Sequence, residues 1–228
     1  MRIRFLIILW IAVAAQARDV YVDASADASS ANGTYFSPYH RVQEAIDQGL
    51  MPGDIVHVKA GLYSSGHFKL KDSGTELSPI RIIGYRETPG DRPLPSDSRL
   101  NLYAEDMPLI KGLDRSSGIA IDLNGVEHVH IEHIQIMDYR LGIRNMLAPR
   151  VMSTGIVLRH IVGRQFGLVD NGVYSGWGIL IDDTGNLLED CIIIDAGAEG
   201  IGIYGDENVM RACKVANYSD QNATDQSY

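Results

Sequence analysis

Two short phrases recur between Gly118 and Val215, and both advance by the same step. One is a Gly followed by apolar residues: Gly118-Ile119-Ala120-Ile121, Gly142-Ile143, Gly178-Ile179-Leu180-Ile181 and Gly200-Ile201-Gly202-Ile203. The other is a β-branched run with polar residues between the apolar ones, as in Val129 to Ile136, Ile156 to Val162, Leu187 to Ile194 and Val209 to Val215. Aligned on Ile134, Ile161, Cys191 and Cys213, the second phrase recurs after 27, 30 and 22 residues, and the first recurs 22 residues apart at Gly178 and Gly200. A shared step implies a repeating unit with two strands in it. A period in the twenties, with no helical pattern between the strands, specifies a β-solenoid, because a single coil cannot bury its own apolar face and must stack on the next. The Leu-x-x-Leu-x-Leu pattern of leucine-rich repeats is absent.

The chain has 228 residues, enough for one sizeable core. Its 20 basic side chains are outnumbered by 29 acidic ones, so nucleic acid is not the expected partner. An acidic sugar polymer would need a local basic cleft or a bridging cation. Met1 to Ala17 reads as a secretory signal peptide: Arg2 and Arg4 start it, Phe5 to Val13 is its apolar core, and Ala15-Gln16-Ala17 is a small-x-small cleavage site before Arg18. The expected product is a secreted protein, extracellular or periplasmic, whose domain runs over 18–228 and which meets no membrane. Cys191 and Cys213 hold the same place in consecutive repeats. Export permits a disulfide, whereas in-register stacking favours a packed, unbridged pair.

Asp19 to Asp23 alternates like a first strand, and Ala24 to Thr34 reads as a loop. Ser37-Pro38 followed by Val42, Ala45, Ile46 and Leu50 at helical spacing predicts a short amphipathic helix over Pro38 to Leu50, placed to cover the open first coil. Asp54 to Lys59, His67 to Lys71 and Pro79 to Tyr85 read as strands, and Arg86 to Asp97, with three of the eight prolines, as a loop. Asn217 to Tyr228 shows no closing element, which suggests further coils beyond it.

Several phrases of the leading half stand together: Tyr21-Val22-Asp23, Asn32-Gly33-Thr34, Val42-Gln43-Glu44-Ala45-Ile46, Pro52-Gly53-Asp54-Ile55-Val56-His57-Val58, Ala60-Gly61-Leu62-Tyr63 and Ser78-Pro79-Ile80-Arg81-Ile82. With the Gly-rich coils that follow, they resemble the N-terminal part of secreted right-handed parallel β-helix proteins of the pectate-lyase-like superfamily. The resemblance implies an all-β, right-handed parallel β-helix with an N-terminal capping α-helix, monomeric, acting on an acidic polysaccharide. It implies most directly a polysaccharide lyase cleaving uronate-containing polymers by β-elimination. Glycoside hydrolysis or uronate epimerisation on the same scaffold stays open, as does a non-catalytic glycan-binding or structural role.

Lyase chemistry needs a base and a means of neutralising a uronate carboxylate, often calcium. Calcium takes six to eight oxygens and calls for converging carboxylates. Asp182, Asp183 and Asp206 leave the Gly-led phrases at similar places and are the candidate ligands, with solvated turn acids as the alternative. Lys214, Arg211 and Arg159 in the second phrase are the candidate catalytic cations, and Arg140 and Tyr139 the candidate substrate contacts. Alternation places Arg159 and Arg211 outward if Leu158 and Met210 point inward. His128 and His130 share a strand face at spacing two, which fits an exposed hydrogen-bonded face better than a metal site with no third ligand.

Overall fold

The computed structural model describes residues 16–96, 101–145, 154–170 and 173–216. The expected signal peptide, apart from Gln16 and Ala17, and the segment after Ala216 lie outside the described residues. The elements run β1 (Asp19–Val22), α1 (Val42–Asp47), β2 (Ile55–Lys59), β3 (Leu62–Ser64), β4 (Phe68–Lys69) and β5 (Ile80–Tyr85). Then come β6 (Leu109–Lys111), β7 (Ile119–Asp122), β8 (Val129–Tyr139), β9 (Leu141–Asn145), β10 (Val157–Phe166), β11 (Val169–Asp170) and β12 (Val173–Tyr174). The last are β13 (Trp177–Asp182), β14 (Leu187–Glu189), β15 (Ile192–Ala196), β16 (Glu199–Tyr204), β17 (Val209–Arg211) and β18 (Lys214–Ala216).

Apart from the small β11–β12 hairpin, every ladder between these strands is parallel, and each joins one coil to the next. The coils have three arms. Arm A stacks β1, β2, β5, the first part of β8 and of β10, β14 and β17. Arm B stacks β3, β6, the later parts of β8 and β10, β15 and β18, and arm C stacks β4, β7, β9, β13 and β16. The chain is therefore a parallel β-helix.

The stack holds together because each arm aligns its inward residues. Arm A superposes Val20, Val56, Ile82, Ile131, Leu158, Leu188 and Met210. Arm C does the same with Phe68, Ile121, Ile143, Ile179 and Ile201. Except for the exposed Met210, these side chains join one continuous core, and each fully buried one contributes ~1.5–3 kcal/mol. Cys191 is buried in this core and Cys213 half-buried beside it, both as free thiols.

The corners between arms A and B are single left-handed residues stacked in register: His133, His160, Asp190 and Ala212, with φ of 57°, 51°, 52° and 53°. A second such column, Asp138, Gln165 and Asp195, closes arm B. Non-glycine residues adopt this backbone at a cost of ~1–2 kcal/mol each, which the stacked ladders on either side offset. Within the Gly-led phrase, Gly118 has a positive φ of 76°, whereas Gly142 and Gly178 do not. Gly142 and Gly178 have no room for a Cβ, which would meet the Phe166 ring and the Gly178 carbonyl at one and Ile193 at the other. Gly is needed there for close packing of arm C against arm B.

The helix is shorter than expected, running only from Val42 to Asp47. Pro38-Tyr39 is drawn into a parallel bridge between Tyr39 and Val22, so Ser37 does not cap it, and the Glu44 carboxylate instead accepts the His40 N–H at 3.0 Å. Val42, Ala45 and Ile46 are buried against the core beside β1 and β4, the edge strands of their sheets.

The proline-rich loop has a place the sequence does not announce. Residues 86–96 and 101–108 lie across the outer surface of arm B. Gln135 Nε2 donates to the carbonyls of Tyr103 at 2.7 Å and Met107 at 2.8 Å, and His133 Nδ1 lies 2.9 Å from the Pro93 carbonyl. Gln135, Val162 and Leu109 are thereby buried although they point away from the core. On the outer face of arm A, Tyr21, His57, Arg159 and Glu189 stay partly exposed and Arg211 exposed.

Candidate functional site

The outer face of arm A carries one continuous register row: Tyr21, His57, Ile83, Glu132, Arg159, Glu189 and Arg211. Seven strands at ~4.8 Å spacing make it ~29 Å long. Its later members alternate in charge and pair along the row. Arg81, from the neighbouring row, meets Glu132 at 2.9 Å, Arg159 meets Glu132 at 4.0 Å and Glu189 at 2.8 Å, and Arg211 meets Glu189 at 2.7 Å. The cluster holds three cations and two anions.

Electrostatics follow from that pairing. Hydrogen bonds from Arg211 and Arg159 hold the Glu189 carboxyl at about 2. Burial works to raise Glu132, but the Arg81 hydrogen bond and the charges of Arg81 and Arg159 overcome it and leave its carboxyl below the usual range. His130, in register with Arg81 and Val157, is lowered from the ordinary histidine value. Burial is the main cause, Arg159 and Arg81 add to it, and Glu132 opposes it. His130 thus sits half-buried on the outer face, with Arg81 as its register neighbour in the preceding coil.

The residues singled out from the sequence do not assemble in one place. Arg159 and Arg211 do point outward on arm A, already paired with glutamates. Lys214 lies on arm B, in register with Ile192, and makes no ion pair among the described residues. Arg140 is exposed just before arm C, where its backbone bonds to Ser117 and Trp177. Tyr139 is buried in the core, which pushes its hydroxyl up to about 12, so it presents no ring to a polymer.

The three aspartates lie at the end of β13 or in the stacked turns that follow β13 and β16. Asp182 ends β13 in register with Tyr204 rather than Asp206. The stack neighbour of Asp206 is Thr184, whose hydroxyl donates to the Asp206 carbonyl at 2.6 Å. Asp183 is buried in the turn, with its carbonyl accepting from Asn208 Nδ2 at 2.6 Å. Among the described residues no group of three or more His, Cys, Asp and Glu side chains is placed to hold a metal ion. The acids as placed do not fit a calcium cage, which needs converging carboxylates.

Arg81, Glu132 and Glu189 were missed in the sequence, and His130 was read as part of an exposed hydrogen-bonded face rather than as a base. The signal was present: the 27-, 30- and 22-residue steps put Glu132, Arg159, Glu189 and Arg211 in a single column.

No family model matches this sequence, and no curated protein matches it. Solved structures do. The chain is similar to an alginate lyase from Paenibacillus sp. str. FPU-7, with a TM-score of 0.52 and 18% identity over 87% of this chain and 57% of that one. It is similar to pectate lyase Pel9A, with a TM-score of 0.59 and 12% identity over 92% of this chain and 57% of that one. A rhamnogalacturonan lyase gives a TM-score of 0.52 and 14% identity, over 88% and 56% of the two chains. This chain thus spans little more than half the length of these structures. The likeness establishes the fold, the parallel β-helix found in polysaccharide lyases, as the sequence resemblance implied.

Proposed function

We propose that this chain is the coil-bearing part of a secreted, carbohydrate-active protein that cleaves a uronate-containing polysaccharide by β-elimination, with the polymer lying along the outer face of arm A. One observation carries the reading: His130, its pKa lowered mainly by burial, shares the outer face of arm A with the Arg81–Glu132–Arg159 cluster, with Arg81 as its register neighbour. Its free imidazole nitrogen takes the proton from the carbon next to the uronate carboxyl group. The electron pair left behind forms a carbon–carbon double bond as the bond to the glycosidic oxygen breaks, and that oxygen then takes up the proton from the imidazolium or from water. Arg81 and Arg159 offset the charge that builds on the carboxylate, the role in which forked guanidinium groups are strongest. Arginine itself is the poorer base, since Arg211 holds its proton even more tightly next to Glu189. No step is assigned to calcium.

Hydrolysis fits this face less well. It requires one carboxyl group to carry a proton for the leaving oxygen, and both Glu132 and Glu189 are held ionised by arginines.

The test is ultraviolet absorbance of the unsaturated product on pectate, alginate and chondroitin, with and without a chelator. The expected result is a rise with one of them that falls by about 100-fold or more in His130→Ala, the loss typical of removing a general base. No rise with any polymer, or full activity in His130→Ala, overturns the proposal. Sensitivity to the chelator would reveal a cation site supplied elsewhere in the protein.

A further inference from the structure

We infer that the first coils carry a separate sugar-stacking platform, built from the exposed rings of Tyr35 and Phe36 on a base of Tyr21 and His57, that holds a pyranose ring of the polymer away from the site of cleavage. This rests on the reading of the protein as one that takes glycans, and it adds a binding site on residues that the chemistry above does not use.

Tyr21 and His57 stack face to face from β1 and β2, with ring centroids 4.9 Å apart and planes within 15°, and form a braced base beneath the exposed rings. Tyr35 stands edge-on to Tyr21 at 5.4 Å, and Phe36 stands edge-on to Tyr35 at 5.3 Å. Single exposed apolar residues need no explanation. Here the rings touch one another, yet Tyr35 is 52% and Phe36 94% exposed.

The backbone presents these rings rigidly. Tyr35-Phe36 is the tip of a tight turn closed by Ser37 N–H donating to the Thr34 carbonyl at 3.1 Å, with the Asn32 and Gly33 N–H groups donating to the Ser37 carbonyl at 2.9 and 3.0 Å. The turn is fastened to β1 by Tyr21 N–H on the Gly33 carbonyl and Tyr39 N–H on the Tyr21 carbonyl, both at 2.9 Å. Gly33 has a φ of 78°, and a Cβ there would strike the Tyr39 ring at 2.4 Å. A surface fixed in advance loses little entropy when it binds.

The chemistry of the rim suits a sugar. A pyranose presents a face of C–H groups, which matches an aromatic ring, and an edge of hydroxyl groups. Asp19, bonded to His57 at 2.8 Å and more than half exposed, offers acceptors. Lys59, paired with Asp23 at 2.9 Å and 41% exposed, offers donors. A protein partner would need ~800 Å² of this surface, far more than a few rings enclosed by charge. Tyr21 also opens the row that continues to Glu132, three strands or ~14 Å along it. A polymer following that row meets both places.

Affinity electrophoresis tests the inference, in native gels cast with pectate, alginate or chondroitin. Wild type, a Tyr35→Ala/Phe36→Ala double variant and His130→Ala are run together, with circular dichroism and Tm confirming that the exposed substitutions leave the fold intact. The expected result is that one polymer retards the wild type and His130→Ala alike, while the double variant binds about three- to tenfold more weakly. Equal retardation of the double variant and the wild type overturns the inference, and so does a wild type that no polymer retards. The absorbance assay keeps the two ideas apart. Retardation lost in the double variant without any absorbance change would support the platform and sink the lyase reading. Turnover whose KM ignores the double substitution would do the reverse.

Discussion

Arg211 Nε lies 2.7 Å from Glu189 Oε1, one coil further along the stack, while the other oxygen of that carboxylate faces Arg159 of the coil before at 2.8 Å. One glutamate thus ties three successive coils together on an open face. Its folded pKa of about 2 lies below the ~4.3 of an unfolded glutamate. The stabilisation is therefore complete above the unfolded value and disappears as pH falls towards 2. In Glu189→Gln, urea unfolding should show a deficit against wild type that is constant from pH 5 to 7 and closes by about pH 2. The pair is open to solvent, so 1 M salt should narrow the deficit at every pH.

If His130 is the base, kcat/KM should rise with pH and level off before neutrality. The proton must be absent for the step to run, and burial with Arg159 and Arg81 sets its loss below the usual ~6.5. Replacing Glu132 by Gln removes the one neighbour that raises His130, and the midpoint should move further down. A midpoint above 6.5, or one that ignores Glu132→Gln, would assign the titration to another group.

Asn186 is buried in the turn leading into arm A and accepts the Ile156 N–H through Oδ1 at 2.9 Å, while its own N–H groups donate to Asn208 Oδ1 at 2.9 and 3.1 Å. Asn186→Ala leaves the Ile156 N–H buried without an acceptor. The expected loss is ~1–3 kcal/mol in chemical denaturation.

Gly142→Ala should be more damaging. The added methyl would sit 2.2 Å from the Gly178 carbonyl oxygen and 2.8 Å from the Phe166 ring. Backbone of the adjacent coil cannot step aside, and overpacking of this kind costs ~1–3 kcal/mol or more. That exceeds the ~0.4–1 kcal/mol gained from a stiffer unfolded chain. A Tm equal to or above wild type would show that the coils can shift apart here.

The repeat was legible because inward side chains must superpose. The 27-residue step between Ile134 and Ile161 is the observed register, and the 22-residue step reappears between Glu189 and Arg211. Function was less legible, because an outward side chain is constrained only by its neighbours across coils. Asp182 and Asp206 looked equivalent when counted by eye from the Gly-led phrases. The register pairs Asp182 with Tyr204 instead, because Asp206 lies two residues further round the turn. Arg159 and Arg211 had the expected outward parity, but their glutamate partners become evident only when the row is read along the stack. The burial of arm B's outer face by residues 86–96 and 101–108 follows from a few hydrogen bonds on Gln135 and His133, for which an irregular proline-rich segment carries no periodic signal.

The left-handed corners decide where this architecture can accept change. From Glu132 to Ile134, Arg159 to Ile161, Glu189 to Cys191 and Arg211 to Cys213 the chain always takes two residues to turn from arm A into arm B. Elsewhere it is variable: Ile136 precedes Ile143 by 7 residues, Gly163 precedes Ile179 by 16, and Ile193 precedes Ile201 by 8. Among these later coils the differences in length are absorbed on the far side of arm B or in the return from arm C, whereas the coil before them inserts the chain between Tyr85 and Leu109 at the A-to-B corner. Those two seams can lengthen, acquire hairpins or lose them while the charged row stays in line, so new specificity can be grafted beside the polymer without rebuilding the surface on which it lies.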